Sequence, residues 1–317
     1  MSPSNGVTPT HQRLLKWLCL LGLAVVTLVA LESGVDIAGA KNTHLPGVGY
    51  VEQLVGPISA IHIERDGTPV ALALLLPLQA GDRVTVNGAG NELHMRLGTR
   101  PQVITAANSP FQIPEIEVPP GFLTRLGSTL VAVGKRLTTQ YVHSSVPVST
   151  SSRGKDGPLT IALVEDGVSR ISPNRADLFI AWDGGTAPYV VRIRGKLSGD
   201  VARQEVEDGT RARVTLPAGG IQTGTIQIVL QDSKGAITRK TFDVISPSAL
   251  PTAPPELTRG DLPAELHAVL LADSLLQTNR RTWKLEAYQL IAPFADAYEP
   301  ARLLRDCLEG EQTCLSH

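Results

Sequence analysis

The sequence predicts a mainly β fold: an N-terminal signal or anchor helix, two consecutive antiparallel β-regions, and a short α-helical segment at the C-terminus. Three observations point there. Apolar and polar residues alternate with period two through runs of 48–113, the pattern of half-buried strands, and short candidate strands recur between turn signals over 159–245. Gly and Pro are plentiful (29 and 23) while aromatics are 4%, which suits many tight turns and small β-domains better than one large enzyme core. Near the N-terminus lies an uncharged apolar run behind basic residues.

At 317 residues the chain is long enough for two or three domains. Lys+Arg 29 against Asp+Glu 30 leaves a net charge of -1, which argues against nucleic acid as a partner because phosphate binding needs a clustered basic excess. Three cysteines are too few for a disulfide scaffold.

Residues 1–40 read as an export segment. Arg13 and Lys16 precede the uncharged run Trp17 to Leu31, and a basic head before an apolar core stays on the cytoplasmic side. Counted from Leu14, the run to Leu31 is about 27 Å long as a helix, against a hydrocarbon core of roughly 30 Å. Ala38-Gly39-Ala40 offers a cleavage site, so a cut signal peptide and a retained inner-membrane anchor at 14–31 are both expected outcomes. Either one puts the remainder of the chain in the periplasm. Cys19 stands where a lipidated cysteine would not.

Residues 45–113 form the first β-region. Asp66-Gly67 and Gly81-Asp82 punctuate its strands, because Gly accepts positive φ and Asp bonds its own backbone in tight turns. Val86-Asn87-Gly88-Ala89-Gly90-Asn91 joins two strand-like runs, and its Asn-Gly is a hairpin signal. The region opens with G-x-V-x-x-x-x-G (Gly49, Val51, Gly56) and continues with a strand ending in Arg65-Asp66-Gly67. Next comes Leu78-x-Ala80-Gly81-Asp82-Arg83-Val84, then an apolar strand turning at Gly98 before Val103. This arrangement resembles the FecR domain of bacterial envelope proteins, over about a fifth of the chain. The resemblance implies a β-rich domain outside the cytoplasmic membrane that acts through protein contacts and without catalysis. It also implies that Gly49, Gly56, Asp66, Gly67, Gly81 and Asp82 are structural turn residues.

Residues 114–157 connect the two β-regions. Pro114, Pro119 and Pro120 stiffen the start. Phe122, Leu126, Leu130, Val133 and Leu137 then recur at spacings of three and four, the stripe of an amphipathic helix. Packing on the neighbouring β-module is the expected use of that stripe; a membrane surface or partner is the alternative, given Arg125, Lys135 and Arg136 off the stripe. A Ser/Thr-rich linker follows.

Residues 158–246 form the second β-region. The expected strands are 159–164, 177–182, 189–194, 201–205, 211–216, 225–231 and 237–245, with turn signals between them. Seven short strands at this spacing suggest an antiparallel sandwich. L-F-I-A-W-D-G-G-T-A-P-Y-V-V-R-I resembles immunoglobulin-like or fibronectin-type modules, with Trp182 as the expected core anchor. Arg192, Arg194, Arg203, Arg211 and Arg213 suggest a basic sheet face, offset by Glu205, Glu207 and Asp208 into a solvated mixed one.

Residues 247–317 are a Pro-rich linker and helical tail. Asp261 is positioned to cap a helix through Leu276, a second helix carries Trp283 to Ile291 and stops at Pro293, and a third runs from Pro300 to Gly310. Cys307 and Cys314 are expected to form a disulfide in an oxidising compartment.

The chain lacks G-x-S-x-G, a dinucleotide fingerprint and a phosphate loop, so no catalytic residue, cofactor or metal site is expected. His62, Glu64 and His94 are the sole candidates for metal or acid–base chemistry. Together with Arg96 they are explained equally well as polar residues on a wet sheet face. The expected function is therefore a non-enzymatic, FecR-like accessory in envelope signalling. Its expected partner is an envelope protein (sensor or receptor) or a cell-wall component. The alternatives are an envelope hydrolase or metal-binding protein using His62/Glu64/His94, and a structural spacer. Only about sixteen residues precede the apolar run, too few for the cytoplasmic anti-sigma region that FecR-type regulators carry, so direct sigma-factor control is not expected.

Overall fold

The first β-body is two four-stranded sheets wrapped around a shared apolar centre. The computed structural model describes residues 47–116, 122–145, 157–195, 199–258 and 262–310. The first strands are β1 (Gly47–Val55), β2 (Ile61–Arg65), β3 (Thr68–Val70), β4 (Pro77–Gln79), β5 (Arg83–Val86), β6 (Glu92–Leu97), β7 (Arg100–Thr105) and β8 (Phe111–Gln112). They assemble in the orders β4-β1-β6-β7 and β3-β2-β5-β8, with antiparallel pairing throughout. The period-two pattern decides which side chains go inside: Leu93, Met95 and Leu97 of β6 are buried, as are Ile61 and Ile63 of β2 and Val84 and Val86 of β5.

Asp66 and Gly67 both have positive φ (50° and 74°) and close the β2–β3 hairpin, in which Arg65 pairs with Thr68. That is the geometry for which Asp-Gly is suited. The Asn87–Asn91 segment is different: it is a crossover, not a hairpin. β5 pairs with β2 and β8, whereas β6 pairs with β1 and β7, so the glycines carry the chain from one sheet to the other. Asn-Gly supplies the positive φ needed for a sharp change of direction, which a crossover requires as much as a hairpin.

Helix α1 (Phe122–Ser145) packs on this body through Leu126, Leu130, Val133 and Leu137, all buried. The contact is close because Gly134 lies directly on the Leu74 carbonyl, where a Cβ would overlap it. One turn on, the Thr138 hydroxyl accepts from the Leu74 N–H (2.8 Å) and donates to the Gly134 carbonyl (2.7 Å). The Tyr141 hydroxyl donates to the Gly56 carbonyl (2.8 Å).

The second β-region comprises β9 (Arg170–Ile171), β10 (Asp177–Ala181), β11 (Tyr189–Gly195), β12 (Gly199–Val206), β13 (Arg211–Thr215), β14 (Gly224–Gln231) and β15 (Ile237–Val244). It forms a five-stranded sheet, β12-β11-β14-β15-β9, and a two-stranded ladder, β10-β13. Pairing is antiparallel except for the short parallel contact of β9 with β15. Trp182 is buried and meets Tyr189 edge to face, with ring centroids 5.1 Å apart. Residues 159–164 do not form the expected strand. Only Thr160 bridges, to Asp183, while Ile161, Leu163 and Val164 are buried in turns. A short apolar run reports burial, and burial here is achieved without a ladder. The β9 pair takes the sheet-edge position instead.

Helix α2 (Ala264–Ile291) breaks at Asn279 (φ -163°, ψ 101°), whose side chain accepts from the Thr282 N–H (3.1 Å) and caps the second half. The expected pair of helices is thus continuous in direction of chain but interrupted by an internal cap. Pro263 occupies the N-cap position, and Asp261 lies outside the described residues. Helix α3 (Glu299–Glu309) begins with Pro300 in its first turn. These helices do not form a separate tail. Their buried residues join both β-regions in one hydrophobic core, and residues 45–317 constitute one compact unit. No helix among the described residues is long and apolar enough to cross a membrane, and the 14–31 segment lies outside them.

The helix–sheet contact gives a paired prediction. Gly134→Ala should cost about 1–3 kcal/mol because its Cβ meets backbone that cannot move aside. Gly127→Ala, in the same helix with open space around it, should stabilise by roughly 0.5–1 kcal/mol. Urea unfolding of the two variants would show opposite shifts in midpoint; a like shift would mean that helix propensity, not contact, governs both sites.

Candidate functional site

Several of the residues expected to form structural turns gather around an ion pair. Asp82 is fully buried, and its two carboxylate oxygens accept from Arg65 Nε and a terminal Arg65 nitrogen, each at 2.8 Å. The same terminal nitrogen of Arg65 donates to the Pro77 carbonyl (3.0 Å), and Asp82 also accepts from the Gln79 N–H (2.8 Å). Gly81 has φ +87°, and its N–H bonds the Ile113 carbonyl (2.9 Å). Asp82 is therefore more than a turn former: it ties the β2 hairpin to the β4–β5 turn. Gly49 and Gly56 act by close approach. A Cβ on Gly49 would overlap the Arg96 carbonyl, and one on Gly56 would overlap the Asn91 side chain.

The three candidate metal or acid–base residues are not brought together. His62 is exposed on β2 with Glu64 on the same strand, while His94 belongs to β6 in the other sheet and contacts Glu92 (2.8 Å). Among the described residues no group of three or more His, Cys, Asp or Glu is placed to share a metal ion.

The His94 and Arg96 side of β6 is also not a free wet face, because the C-terminal helices cover part of it. There lies a cleft of about 330 Å³, lined by Glu52, Gln53, His94 and Arg96 from the sheet and by Glu265, Phe294, Tyr298 and Glu299 from the helical segment. Arg96 bridges its two walls, donating to Glu52 (2.6 Å) and Glu265 (3.1 Å). Beneath them sit two buried phenols, Tyr50 and Tyr298. Burial, reinforced by the Glu52 and Glu265 charges, raises both well above the ordinary tyrosine range; Arg96 opposes the shift. The two hydroxyls face one another, and neither makes a hydrogen bond of normal geometry.

Similar polar joints recur along α2. Asp273 receives Arg136 of α1 (2.6 and 3.2 Å). Glu286 receives the Ser172 N–H and hydroxyl (both 2.9 Å) together with Arg175. The Gln289 amide pairs with the backbone of Phe179, accepting its N–H (2.8 Å) and donating to its carbonyl (2.7 Å), and so completes one edge of β10 as a strand would. At the end of α3, Glu309 accepts from Arg211 (2.6 Å) and from the Tyr288 hydroxyl (2.7 Å), which burial and the Glu309 charge push far above its usual range. A second cleft, of about 500 Å³, opens beside that joint between the β10–β13 ladder and α2. The arginines expected on a basic face are mostly paired: Arg194 with Asp200, Arg203 with Glu205, Arg211 with Glu309 and Arg213 with Asp177. Cys307 is disulfide-bonded; Cys314, its expected partner, lies outside the described residues.

Asp273, Glu286 and Gln289 were not legible as joints, although each is a polar residue interrupting a buried helical stripe. Glu52, Glu265 and Tyr298 carried no signal beyond their polarity.

No family model matches the chain, and no curated protein does. Solved structures similar to parts of it include a biofilm-associated protein BSP domain (16% identity, 30% of this chain and 15% of that one, TM-score 0.24). The complex of Porphyromonas gingivalis RgpB pro- and mature domains matches at 14% identity over 28% of this chain and 19% of that one, TM-score 0.23. CopC from Methylosinus trichosporium OB3b matches at 15% identity over 26% of this chain and 86% of that one, TM-score 0.20. The chain spans under a fifth of the length of the first two. At these scores the likenesses carry no argument about fold or activity.

Two predictions follow from these joints. Asp82→Asn keeps the turn but removes the charge facing Arg65, and should cost about 2–4 kcal/mol in urea unfolding. The alkaline response comes from Tyr50, Tyr288 and Tyr298, which stay protonated when folded. Their contribution is complete below the unfolded tyrosine pKa of about 10 and is lost above it, because the unfolded chain then releases protons that the folded chain retains. Stability should fall by about 1.4 kcal/mol per pH unit for each phenol, a slope that Tyr298→Phe should reduce by roughly one phenol's share.

Proposed function

We propose that the protein is a non-enzymatic envelope protein: a FecR-like β-domain and an immunoglobulin-like sandwich, locked together by the C-terminal helices, that works by presenting surfaces to a partner. The observation that supports this most is how the motif residues are used. Arg65 and Asp82 are closed on each other, and Asp66, Gly67 and Gly81 adopt positive-φ turns, so the resemblance to FecR rests on residues that build the domain and not on residues that react. Among the described residues the ionisable groups between the layers are likewise engaged with one another in ion pairs.

The N-terminal segment is read as directing export to the periplasm, either cleaved or kept as an inner-membrane anchor at 14–31. The partner is read as an envelope sensor or receptor, or a cell-wall component. Locked β-bodies suit this role, because a surface that does not reorganise loses less entropy when it is bound.

Photo-crosslinking in cells, from single sites placed on exposed strand residues such as His62 and Ile237, should yield one discrete envelope protein or cell-wall adduct. Protease accessibility of intact spheroplasts should find residues beyond the N-terminal segment outside the cytoplasmic membrane. A cytoplasmic protein, or one zinc per chain in the purified material, would overturn the reading and favour the hydrolase alternative.

A further inference from the structure

We propose that the outward face of the five-stranded sheet binds an acidic polysaccharide, one that carries carboxylate groups along its length. The strand register sets out the surface. Arg203 of β12 lies opposite Arg192 of β11, Arg192 opposite Val229 of β14, and Val229 opposite Arg239 of β15. Directly opposite residues share a face, so three arginines stand in one row across four strands. With strands about 4.8 Å apart, the Arg192 backbone is roughly 5 Å from that of Arg203 and roughly 10 Å from that of Arg239. Like charges directly opposite one another destabilise a sheet. Among the described residues only Arg203 of the three is answered within the fold, by Glu205 (2.6 Å). Arg192, partly exposed, and Arg239, exposed, have neither an ion pair nor a hydrogen bond there. A local rule broken without return inside the fold marks a surface kept for something outside it.

A separate feature lies beside the row. Two residues further along the strands, Arg194 stands opposite Gln227, and Gln227 opposite Thr241. Together with Thr225 they line a cleft of about 520 Å³, to which Gly195 and Gly199 add no side chains. Side-chain amides and hydroxyls both donate and accept hydrogen bonds, as sugar hydroxyls require, and the arginine fork matches a carboxylate. The acids of this face are already engaged: Asp200 with Arg194, Glu205 with Arg203, and Asp243 with the Thr225 hydroxyl (2.9 Å). They leave Arg192 and Arg239 without a counter-charge. These two cations are about one Debye length apart, close enough to act together on a chain laid across the strands. An acidic peptide fits less well, because extended peptides are held by main-chain pairing at a sheet edge, and this surface is a face. The proposal gives a chemistry to the cell-wall partner named under the proposed function, and it rests on that reading to this extent.

The test uses the full chain in mild detergent, immobilised for biolayer interferometry, and three polymers of similar length. Alginate supplies carboxylates on sugars, dextran supplies sugars without charge, and poly-L-glutamate supplies carboxylates on a peptide. Saturable binding of alginate that weakens with salt, with none of dextran and weaker binding of poly-L-glutamate, is expected. Arg192→Gln and Arg239→Gln should each weaken alginate binding several-fold, and the double variant about tenfold or more. Arg100→Gln removes the same charge from an exposed position on β7 in the first β-body, and should leave binding unchanged. Arg192→Gln should fold as well as the parent or slightly better in urea, since it removes a like-charge neighbour. Lost binding in that variant is then a property of the surface. No binding of alginate, equal binding of dextran, poly-L-glutamate bound as tightly as alginate, or an Arg100→Gln effect equal to that of Arg192→Gln would overturn the site. Because binding is measured on purified protein, its failure would leave the crosslinking and export results of the wider reading untouched, and their failure would leave alginate binding intact.

Discussion

The architecture depends on three acids of one helix, each matched to an arginine in a different layer. Glu265 of α2 reaches Arg96 in the first β-body, Asp273 reaches Arg136 on α1, and Glu286 reaches Arg175 at the entrance to the second β-region. A buried carboxylate left without its partner is strongly destabilising, whereas the intact pair adds little over well-packed apolar residues. These pairs therefore act mainly on specificity. They penalise every other seating of the helix, so the relative position of the two β-regions is decided by electrostatics while the apolar contacts supply the attraction. The break at Asn279 helps, because it lets the two halves of α2 present Asp273 and Glu286 toward different neighbours.

Within the first β-body the same logic appears at smaller scale. Arg65 and Asp82 lie seventeen positions apart and belong to successive turns, yet their bidentate contact holds the hairpin against the β4–β5 turn. The glycines around them serve the geometry. Gly81 takes a backbone conformation closed to most side chains, and Gly49 lets β1 approach β6 more closely than any Cβ would allow. On the outer side, Gly134 removes the last obstacle between α1 and the Leu74 carbonyl.

Joining two β-regions through helices also shapes the surface between them. Two clefts of the molecule lie at those joints, bounded by sheet on one side and helix on the other, with ion-paired residues on their walls. A site at such a seam senses the seating of both elements.

Much of this was readable from residue order. Alternation announced β6, short runs between turn signals announced β10, β11 and β14, the three-four stripe announced α1 and the face it buries, and Asp66-Gly67 announced a turn, because each depends on neighbours close in the chain. The limits were equally physical. The run at 159–164 is apolar because it is buried, and burial alone does not distinguish a ladder from turns. Asn87-Gly88 signals a change of direction without saying which sheet receives the next strand. Arg96 reads as a solvent-facing strand residue until Glu265, 169 positions later, is folded against it. Pairings across such distances leave no periodic trace, and so the seating of the helices and the cleft beside Tyr298 belong to the tertiary structure alone.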